Sequence, residues 1–279
     1  MKSINCQGTL IDLNKPKVMG ILNITPDSFF DGGQYNKPEG IIKQVQKMLE
    51  EGATFIDVGA YSSRPGAQHI SVEEEQKRIL PVVKLLVQEF ENICLSVDTF
   101  RSEIARACVQ AGACMVNDIS GGEMDPTMFK TLVELQVPYI CMHMQGIPQN
   151  MQENPSYENI TRSLIRYFSE KAAKLHTMGL NDLIIDVGFG FGKTVEHNYT
   201  LLNKLDLFKA LDLPMLVGIS RKSMLFTPLN STPGEALNAT TAANTIALLK
   251  GANILRVHDV KQAVEACKIV ALTHQKSDE

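Results

Sequence analysis

The sequence predicts an α/β protein that forms a single (β/α)8 TIM-barrel domain over residues 1–279. Short, almost continuously apolar runs alternate eight times with longer amphipathic runs, and polar residues gather where the apolar runs end. Strands that are apolar throughout are typical of parallel sheets whose faces are both buried. A doubly wound open sheet is the structural alternative, but eight units fit a closed barrel better. No linker-like stretch divides the chain, so we expect one domain.

The predicted strands are runs of β-branched and other apolar residues. They are Val18–Asn23, Thr54–Gly59, Ile93–Asp98, Met115–Asn117, Tyr139–His143, Leu183–Asp186, Met215–Ile219 and Ile254–Val257. The predicted helices are Glu39–Glu51, Val72–Phe90, Ser102–Ala111, Thr127–Leu135, Glu158–Met178, Glu196–Lys209, Gly234–Lys250 and Val260–Leu272. Four of these helices end directly before a glycine, where a chain can leave a helix through a left-handed residue.

The bulk composition argues against several classes of protein. Hydrophobic residues make up 44% and charged residues 21% of the chain, which is ordinary for a packed globular protein. A formal net charge of -4 argues against a general nucleic-acid binder. The six cysteines form no CxxC pair, and we find neither a signal-peptide core nor an apolar run long enough to span a bilayer. We therefore expect a cytoplasmic protein with reduced thiols and no membrane partner.

Polar residues stand at the ends of the predicted strands. They are Asn23, Asp57, Asp98, Asn117, His143, Asp186, Ser220 to Lys222, Arg256 and His258. A single aspartate after a strand is more often a turn or capping residue than a functional one. Because the carboxyl ends of barrel strands meet at one mouth, however, so many polar positions on the same side predict a single polar site.

The charges in this set suggest the kind of ligand. We expect acceptors from Asp98, Asn117 and Asp186 in one region of the pocket and cations, including Arg64 and Arg256, in another. Such a pocket suits a ligand with a donor-rich ring and an anionic tail. The Gly-rich run 188–193 has neither the Walker spacing nor a dinucleotide context, so it predicts neither ATP nor NAD binding.

Eight blocks of the sequence, from about residue 18 to the last helix, carry a recognisable pattern. The blocks are NITPDSF (23–29), DVGAYSSRPG (57–66), SVDT (96–99), VNDI (116–119), MHMQG (142–146), DVGFGFGK (186–193), GISRKS (218–223) and RVHD (256–259). In this order, the blocks resemble the dihydropteroate synthase family.

The resemblance implies a reaction and its partners. In this family a dihydropterin that bears a hydroxymethyl diphosphate condenses with 4-aminobenzoate to give dihydropteroate and diphosphate, in folate biosynthesis. It also implies Mg²⁺ dependence, a homodimer, and sulfonamides at the aminobenzoate position. We expect a dissociative displacement, with the first two strand–helix loops acting as lids that exclude water.

The resemblance also implies roles for individual residues. The expected pterin-binding residues are Asp98, Asn117, Ile119, Met142, Asp186, Phe191, Gly218 and Lys222. The expected diphosphate-binding residues are Asn23, Ser63, Arg64, Arg256 and His258, with Asn23 as the magnesium ligand. The expected aminobenzoate-binding residues are Phe29, Ser63, Arg64, Pro65, Phe191, Lys222 and Ser223. The expected catalytic residues are Asp98, Lys222, Arg256 and His258.

The chain departs from the family pattern at Phe30, Ala60-Tyr61 and Val187, where serine, Gly-Glu and proline are usual; Ser63 replaces a threonine but keeps the hydroxyl. Two other functions therefore stay open. A pterin-dependent corrinoid methyltransferase has a similar barrel, but it would leave the Arg256/His258 pair unexplained. A catalytically silent pterin-binding paralogue would keep the floor residues while the departures disable the loops.

Overall fold

A closed barrel of eight parallel strands forms the centre of the molecule. The computed structural model describes residues 2–24, 38–62 and 69–273. The barrel strands are β3 (Lys17–Asn23), β4 (Phe55–Gly59), β5 (Leu95–Asp98), β6 (Met115–Asp118), β7 (Tyr139–Met142), β8 (Leu183–Asp186), β9 (Met215–Val217) and β10 (Ile254–Val257). Each pairs in parallel with its neighbour in the sequence, and β10 pairs with β3 to close the ring. The predicted fold class is therefore confirmed.

Helices surround the barrel. They are α1 (Pro38–Glu50), α2 (Val72–Glu89), α3 (Ser102–Gln110), α4 (Met128–Leu135), α5 (Ile160–Thr177), α6 (Val195–Asn203), α7 (Ser223–Phe226), α8 (Leu237–Leu249) and α9 (Val260–Thr273). Side-chain caps fix the start of several; Ser71, for example, accepts a hydrogen bond from the backbone N–H of Glu74. The four glycines expected after helices all adopt positive φ, which explains why the helices stop there.

Three regions differ from the prediction. After β9, the short helix α7 and 3-10 turns at Thr227–Leu229 and Pro233–Glu235 were not predicted. The predicted helix Glu196–Lys209 is divided, because α6 ends at Asn203 and a 3-10 helix follows at Leu205–Leu211. An antiparallel hairpin, β1 (Ser3–Cys6) and β2 (Thr9–Asp12), precedes the barrel and was not predicted. Its buried residues Ile4 and Cys6 pack against the apolar side chains at the amino ends of the barrel strands. The hairpin therefore closes the end of the barrel opposite the strand termini that carry the polar residues.

The core has three parts. The largest lies between the strands and the surrounding helices, and it includes Val58, Leu86 and Phe168. The second fills the lower barrel, where the hairpin meets residues such as Phe55 and Ile184. The third is a small cluster at the carboxyl ends of the strands. It consists of Phe100, Ile119 and Met142, with Tyr61, Met124, Met144 and Phe191 packed against it.

Candidate active site

A polar layer crosses the barrel interior directly above the apolar lower layer. Side chains in a strand point inward at every second residue, so the position two residues after an inward apolar side chain also faces inward. On β4, β6, β8 and β10 these positions hold Asp57, Asn117, Asp186 and Arg256, after Phe55, Met115, Ile184 and Ile254. One side chain from each alternate strand is the usual composition of a layer in such a barrel. Here the layer is polar instead of apolar.

Asp57 joins two members of this layer. Its Oδ2 atom accepts hydrogen bonds from Asn117 Nδ2 at 2.9 Å and from Arg256 Nε at 2.6 Å. Asp57 has no exposed surface, and its Oδ1 atom is buried without a hydrogen-bond partner among the residues that the structure describes. A buried carboxylate needs compensating charge and donors, and the guanidinium and the amide supply both.

Arg256 also reaches Asp98, at the end of β5. Its Nη2 atom donates to Asp98 Oδ2 at 2.8 Å, and both side chains keep 19% of their surface exposed. Burial raises the pKa of the Asp98 carboxyl, while Arg256 opposes that rise. Asn23, at the end of β3, lies near Asp98. Its Oδ1 atom and Asp98 Oδ2 are 3.7 Å and 3.5 Å from the point where a β-carbon at Gly59 would stand.

Asp186 and Lys222 form a second charged region on the barrel floor. Asp186 is 5% exposed, and its Oδ1 accepts from the backbone N–H of Gly188 at 2.8 Å. Burial raises the pKa of Asp186, and Lys222 opposes that rise. Burial likewise lowers the pKa of Lys222 to about 8, opposed by Asp186. Lys222 Nζ donates to the carbonyl of Phe189 at 2.5 Å, so the ammonium is held beside the floor.

Apolar side chains provide a wall beside these charges. Met142 and Ile119 are buried in the cluster at the barrel mouth, and Phe191 packs against that cluster. The Lys222 ammonium lies 4.6 Å from the centre of the Phe191 ring, within cation–π range. A flat heterocycle could therefore meet both an apolar surface and the polar floor within one pocket.

His258 follows β10 and contacts the segment that follows β9. Its Nδ1 atom lies 3.1 Å from Ser220 Oγ, and its backbone N–H donates to the same oxygen. Ser223 is exposed at the first residue of the short helix α7. Both residues are thus on the side of the barrel where the carboxyl ends of the strands lie.

The structure brings together Asn23, Asp98, Asn117, Ile119, Met142, Asp186, Phe191, Gly218, Lys222, Ser223, Arg256 and His258 at or near this one end of the barrel. Phe29, Ser63, Arg64 and Pro65 lie outside the described residues, as does the departure at Phe30. One expectation was wrong: acceptors and cations are not segregated. Arg256 binds two carboxylates and Lys222 accompanies Asp186, because buried charges are stable only beside opposite ones.

Sequence reasoning missed two residues of this region. Asp57 was noted at a strand end but was not assigned a role; the signal for it was a charged residue in the middle of the fully buried strand FIDVG. Lys193 was noted only as the end of the Gly-rich run. Its side chain is 3% exposed, and it hydrogen-bonds to the segment that carries Phe191.

Three residues that depart from the family pattern lie within the described chain, and their surroundings differ. Ala60 and Val187 are buried in the main core cluster. Tyr61 lies at the mouth, where its hydroxyl contacts His69 Nδ1 at 3.1 Å and accepts from Gln149 Nε2 at 3.1 Å. Its ring packs edge-to-face on Phe100, with ring centres 5.0 Å apart. Tyr61 thus links the segments that follow β4, β5 and β7.

The chain is similar to proteins of one known family. The family model described as pterin binding enzyme matches residues 19–258. A dihydropteroate synthase of Escherichia coli is 46% identical over 269 residues, covering 96% of this chain and 95% of that protein. A Haemophilus influenzae dihydropteroate synthase is 41% identical over 261 residues, covering 93% and 94%.

Solved structures agree with these relatives. The Yersinia pestis dihydropteroate synthase in complex with a sulfonamide drug has a TM-score of 0.94 at 42% identity, covering 99% of this chain and 100% of that one. The Xanthomonas albilineans dihydropteroate synthase with 4-aminobenzoic acid has a TM-score of 0.90 at 36% identity, covering 98% of both chains. Separately, none of the helices in the described part of the chain is long and apolar enough to cross a membrane.

Proposed function

The chain belongs to the pterin binding enzymes and, among them, to the dihydropteroate synthases, and from this premise we propose how its own residues perform the family's reaction. The protein is a transferase of folate biosynthesis. It joins the methylene carbon of 6-hydroxymethyl-7,8-dihydropterin diphosphate to the amine of 4-aminobenzoate. The carbon–oxygen bond to diphosphate breaks, a carbon–nitrogen bond forms, and the amine loses a proton.

The pterin ring occupies the floor of the barrel in this proposal. Asp186 accepts from the ring's amino group and ring N–H, a planar two-point contact. Asn117 and Asp98 bind the opposite edge, and Lys222 donates to the ring carbonyl and a ring nitrogen. Ile119, Met142, Phe191 and Gly218 line the pocket. The support is the burial of Asp186 and Asn117 in one layer, next to an apolar wall.

The diphosphate lies nearer the mouth, beside Arg256 and His258, with Ser63 and Arg64 completing the set. Arg256 is the central group, because it pairs with Asp98 at the carboxyl ends of the strands and keeps part of its surface exposed. Neutralising the charge that develops on the departing diphosphate is worth several kcal/mol in sites of this kind.

Mg²⁺ fits this end of the pocket. The side-chain oxygens of Asn23 and Asp98 lie near one point, and hard oxygen donors of this type suit Mg²⁺. No group of three or more His, Cys, Asp or Glu side chains in the described residues could hold a metal alone. That is compatible with Mg²⁺, which is often held by few protein ligands together with substrate phosphates. Asn23 would be the protein ligand, and the bound ion would neutralise phosphate charge.

4-Aminobenzoate approaches from the mouth, where Phe29, Ser63, Arg64, Pro65, Phe191, Lys222 and Ser223 would surround it. The displacement is dissociative: the electron-rich pterin stabilises the methylene cation, and Asp98 adds a negative charge beside it. An aryl amine is already neutral at pH 7, so it attacks without a strong base. A sulfonamide would occupy the same place, in line with the sulfonamide complex of the Yersinia relative.

A homodimer forms, in our proposal, through the face made by α6, α7 and α8. This face has an apolar cleft of about 480 Å³, lined by Tyr199, Leu225, Phe226, Leu229, Ala242 and Ile246 among others. Leu229 is 64% exposed and Ile246 is 43% exposed, and apolar patches of this kind mark interfaces. α8 carries apolar side chains on its exposed side as well as its buried side, since Ile246 and Leu249 are exposed while Ala247 and Leu248 are buried.

Analytical ultracentrifugation tests this dimer. The wild type should sediment as a dimer and Ile246→Glu as a monomer. Leu10→Glu is the matched control, since Leu10 is 73% exposed on the hairpin at the other end of the barrel. A monomeric wild type, or a dimeric Ile246→Glu variant, would refute the interface.

A cytoplasmic location is also part of the proposal; it is supported by six cysteines that are all free thiols.

The observation that carries the function is the proximity of Asp186 and Arg256 in one barrel mouth. A product assay tests it: purified protein, pterin diphosphate, 4-aminobenzoate and Mg²⁺ should give dihydropteroate and diphosphate in equal amounts. Release should stop when either aminobenzoate or Mg²⁺ is omitted. Diphosphate release at an equal rate without aminobenzoate would mean that the site hydrolyses the pterin diphosphate instead of joining it to the amine.

A further inference from the structure

Lys193 is a buried lysine for which the reaction above has no use. It is 3% exposed, and its Nζ atom contacts three acceptors: the carbonyl oxygen of Phe191 at 2.8 Å, the carbonyl oxygen of His143 at 3.1 Å and the His143 Nδ1 atom at 3.2 Å. A lysine ammonium has three N–H donors and no acceptor. The three contacts therefore match the hydrogen-bonding capacity of a protonated lysine.

The protonation state of His143 agrees with these contacts of Lys193. Burial and the nearby Lys193 charge lower the pKa of His143 to about 3, so the imidazole is neutral at physiological pH. A neutral imidazole with its proton on Nε2 leaves Nδ1 free to accept from Lys193. The His143 ring packs edge-to-face on Tyr167 at 4.9 Å between ring centres, which fixes its orientation.

The partners of Lys193 show what it holds in place. Phe191 belongs to the Gly-rich segment 188–192, and this segment is pressed against the chain that follows β7. A β-carbon at Gly188 would stand 2.1 Å from the carbonyl oxygen of His143, and Gly188 has φ +68°. Lys193 thus binds the carbonyl of Phe191, while Lys222 binds that of Phe189 two residues earlier. Two ammonium groups hold alternate carbonyls of one segment.

The charged and titratable groups around Lys193 come from several elements. Burial is the largest effect on the pKa of Lys193 and, together with Lys222, lowers it to about 7, while Asp186 on β8 opposes this fall. His143 is the neighbour after β7. Tyr157 donates to the carbonyl of Gly192 at 2.8 Å and lies 5.1 Å from the ring of His197, so both border the same segment.

We infer that Lys193 is a positioning residue for the pterin pocket: its ammonium fixes the 188–192 segment against His143 and thereby sets the place of the Phe191 ring. The inference rests on the proposed pterin site. Lys193 does not touch the substrate in this scheme. It acts through Phe191, whose ring faces Lys222.

The test measures binding of 6-hydroxymethylpterin through its own fluorescence, which no tryptophan of the chain disturbs because there is none. Lys193→Met removes all three donors at nearly constant volume and should weaken binding by about tenfold or more. Lys250→Met is the matched control, since Lys250 pairs with Asp206 on the surface, and it should bind within about twofold of the wild type. Equal binding by a folded Lys193→Met variant would overturn the inference.

A double-variant cycle separates positioning from a general loss of structure. If Lys193 acts through Phe191, Lys193→Met should add little to the loss caused by Phe191→Ala, so the double variant should bind within about twofold of Phe191→Ala alone. Losses that multiply would overturn the inference. If Lys193→Met does not fold, Lys193→Gln, which keeps two donors, takes its place in the same cycle. Failure of the wild type to bind the pterin would instead refute the proposed function.

Discussion

Asp186 Oδ2 and Arg256 Cδ each lie 3.9 Å from the point where a β-carbon at Gly218 would stand. The carboxylate that receives the pterin ring and the side chain of the arginine assigned to the diphosphate therefore border the same small space above β9. One substrate molecule can reach both groups. The proposed reaction requires this relationship, because it makes the pterin floor and the phosphate end parts of one cavity.

Replacing Asp186 should abolish pterin binding. Asp186→Ala removes a buried carboxylate that would make two charge-assisted hydrogen bonds to the ring, so affinity should fall by about 100-fold or more. Isothermal titration calorimetry with 6-hydroxymethylpterin measures this. Asp182→Ala is the matched control directly before the same strand, where Asp182 accepts from the backbone N–H of Asn5. Unchanged affinity of Asp186→Ala would contradict the assignment of the floor.

Replacing Arg256 should discriminate between two ligands. Arg256→Ala should weaken pterin diphosphate by about 30-fold or more, while a pterin without phosphates should lose no more than about threefold. The reason is that only the diphosphate needs the positive charge. Competition binding with both ligands gives the two ratios, and Arg106→Ala, which removes a surface arginine paired with Glu134, is the charge-matched control. Equal losses for both ligands would remove the case for a phosphate role.

Asp57 should matter for stability because it joins Asn117 to Arg256. Asp57→Ala leaves two buried donors without their acceptor and should lower the free energy of unfolding by about 3 kcal/mol, near the lower end for broken buried pairs, since Arg256 keeps some contact with water. Asp57→Asn keeps an acceptor oxygen and should lose less. Urea denaturation measures both, with Asp206→Ala as a surface control. A loss below about 1 kcal/mol for Asp57→Ala would show that the shared bond is not structural.

His143 should make stability depend on acid pH. Its pKa is depressed to about 3 in the folded chain, against about 6.5 in the unfolded chain. Between these values only the unfolded chain binds the proton, so the contribution of His143 to stability is lost as pH falls from about 6.5 towards 3, by up to about 1.4 kcal/mol per pH unit. His143→Gln should lack this dependence. The prediction would be wrong if the free energies of unfolding of wild type and variant changed with pH in parallel between pH 4 and 7.

The barrel could be predicted because its strands are buried on both faces, which leaves continuous apolar runs such as Leu183–Asp186. The polar site could be predicted because barrel topology gathers the residues that end those runs. The hairpin over residues 3–12 could not be predicted, because its two short runs are stabilised only by packing against the apolar side chains of the lower barrel. The roles of Asp57 and Lys193 also escaped sequence reasoning, since each depends on atoms brought together from distant parts of the chain.

The most direct test of the central claim is a competition experiment among three ligands in the presence of Mg²⁺. If one cavity has a pterin end at Asp186 and a phosphate end at Arg256, then 6-hydroxymethylpterin and inorganic diphosphate should bind together without displacing each other. Pterin diphosphate should displace both. If pterin diphosphate displaces only one of the two smaller ligands, the two ends belong to separate sites and the account is wrong.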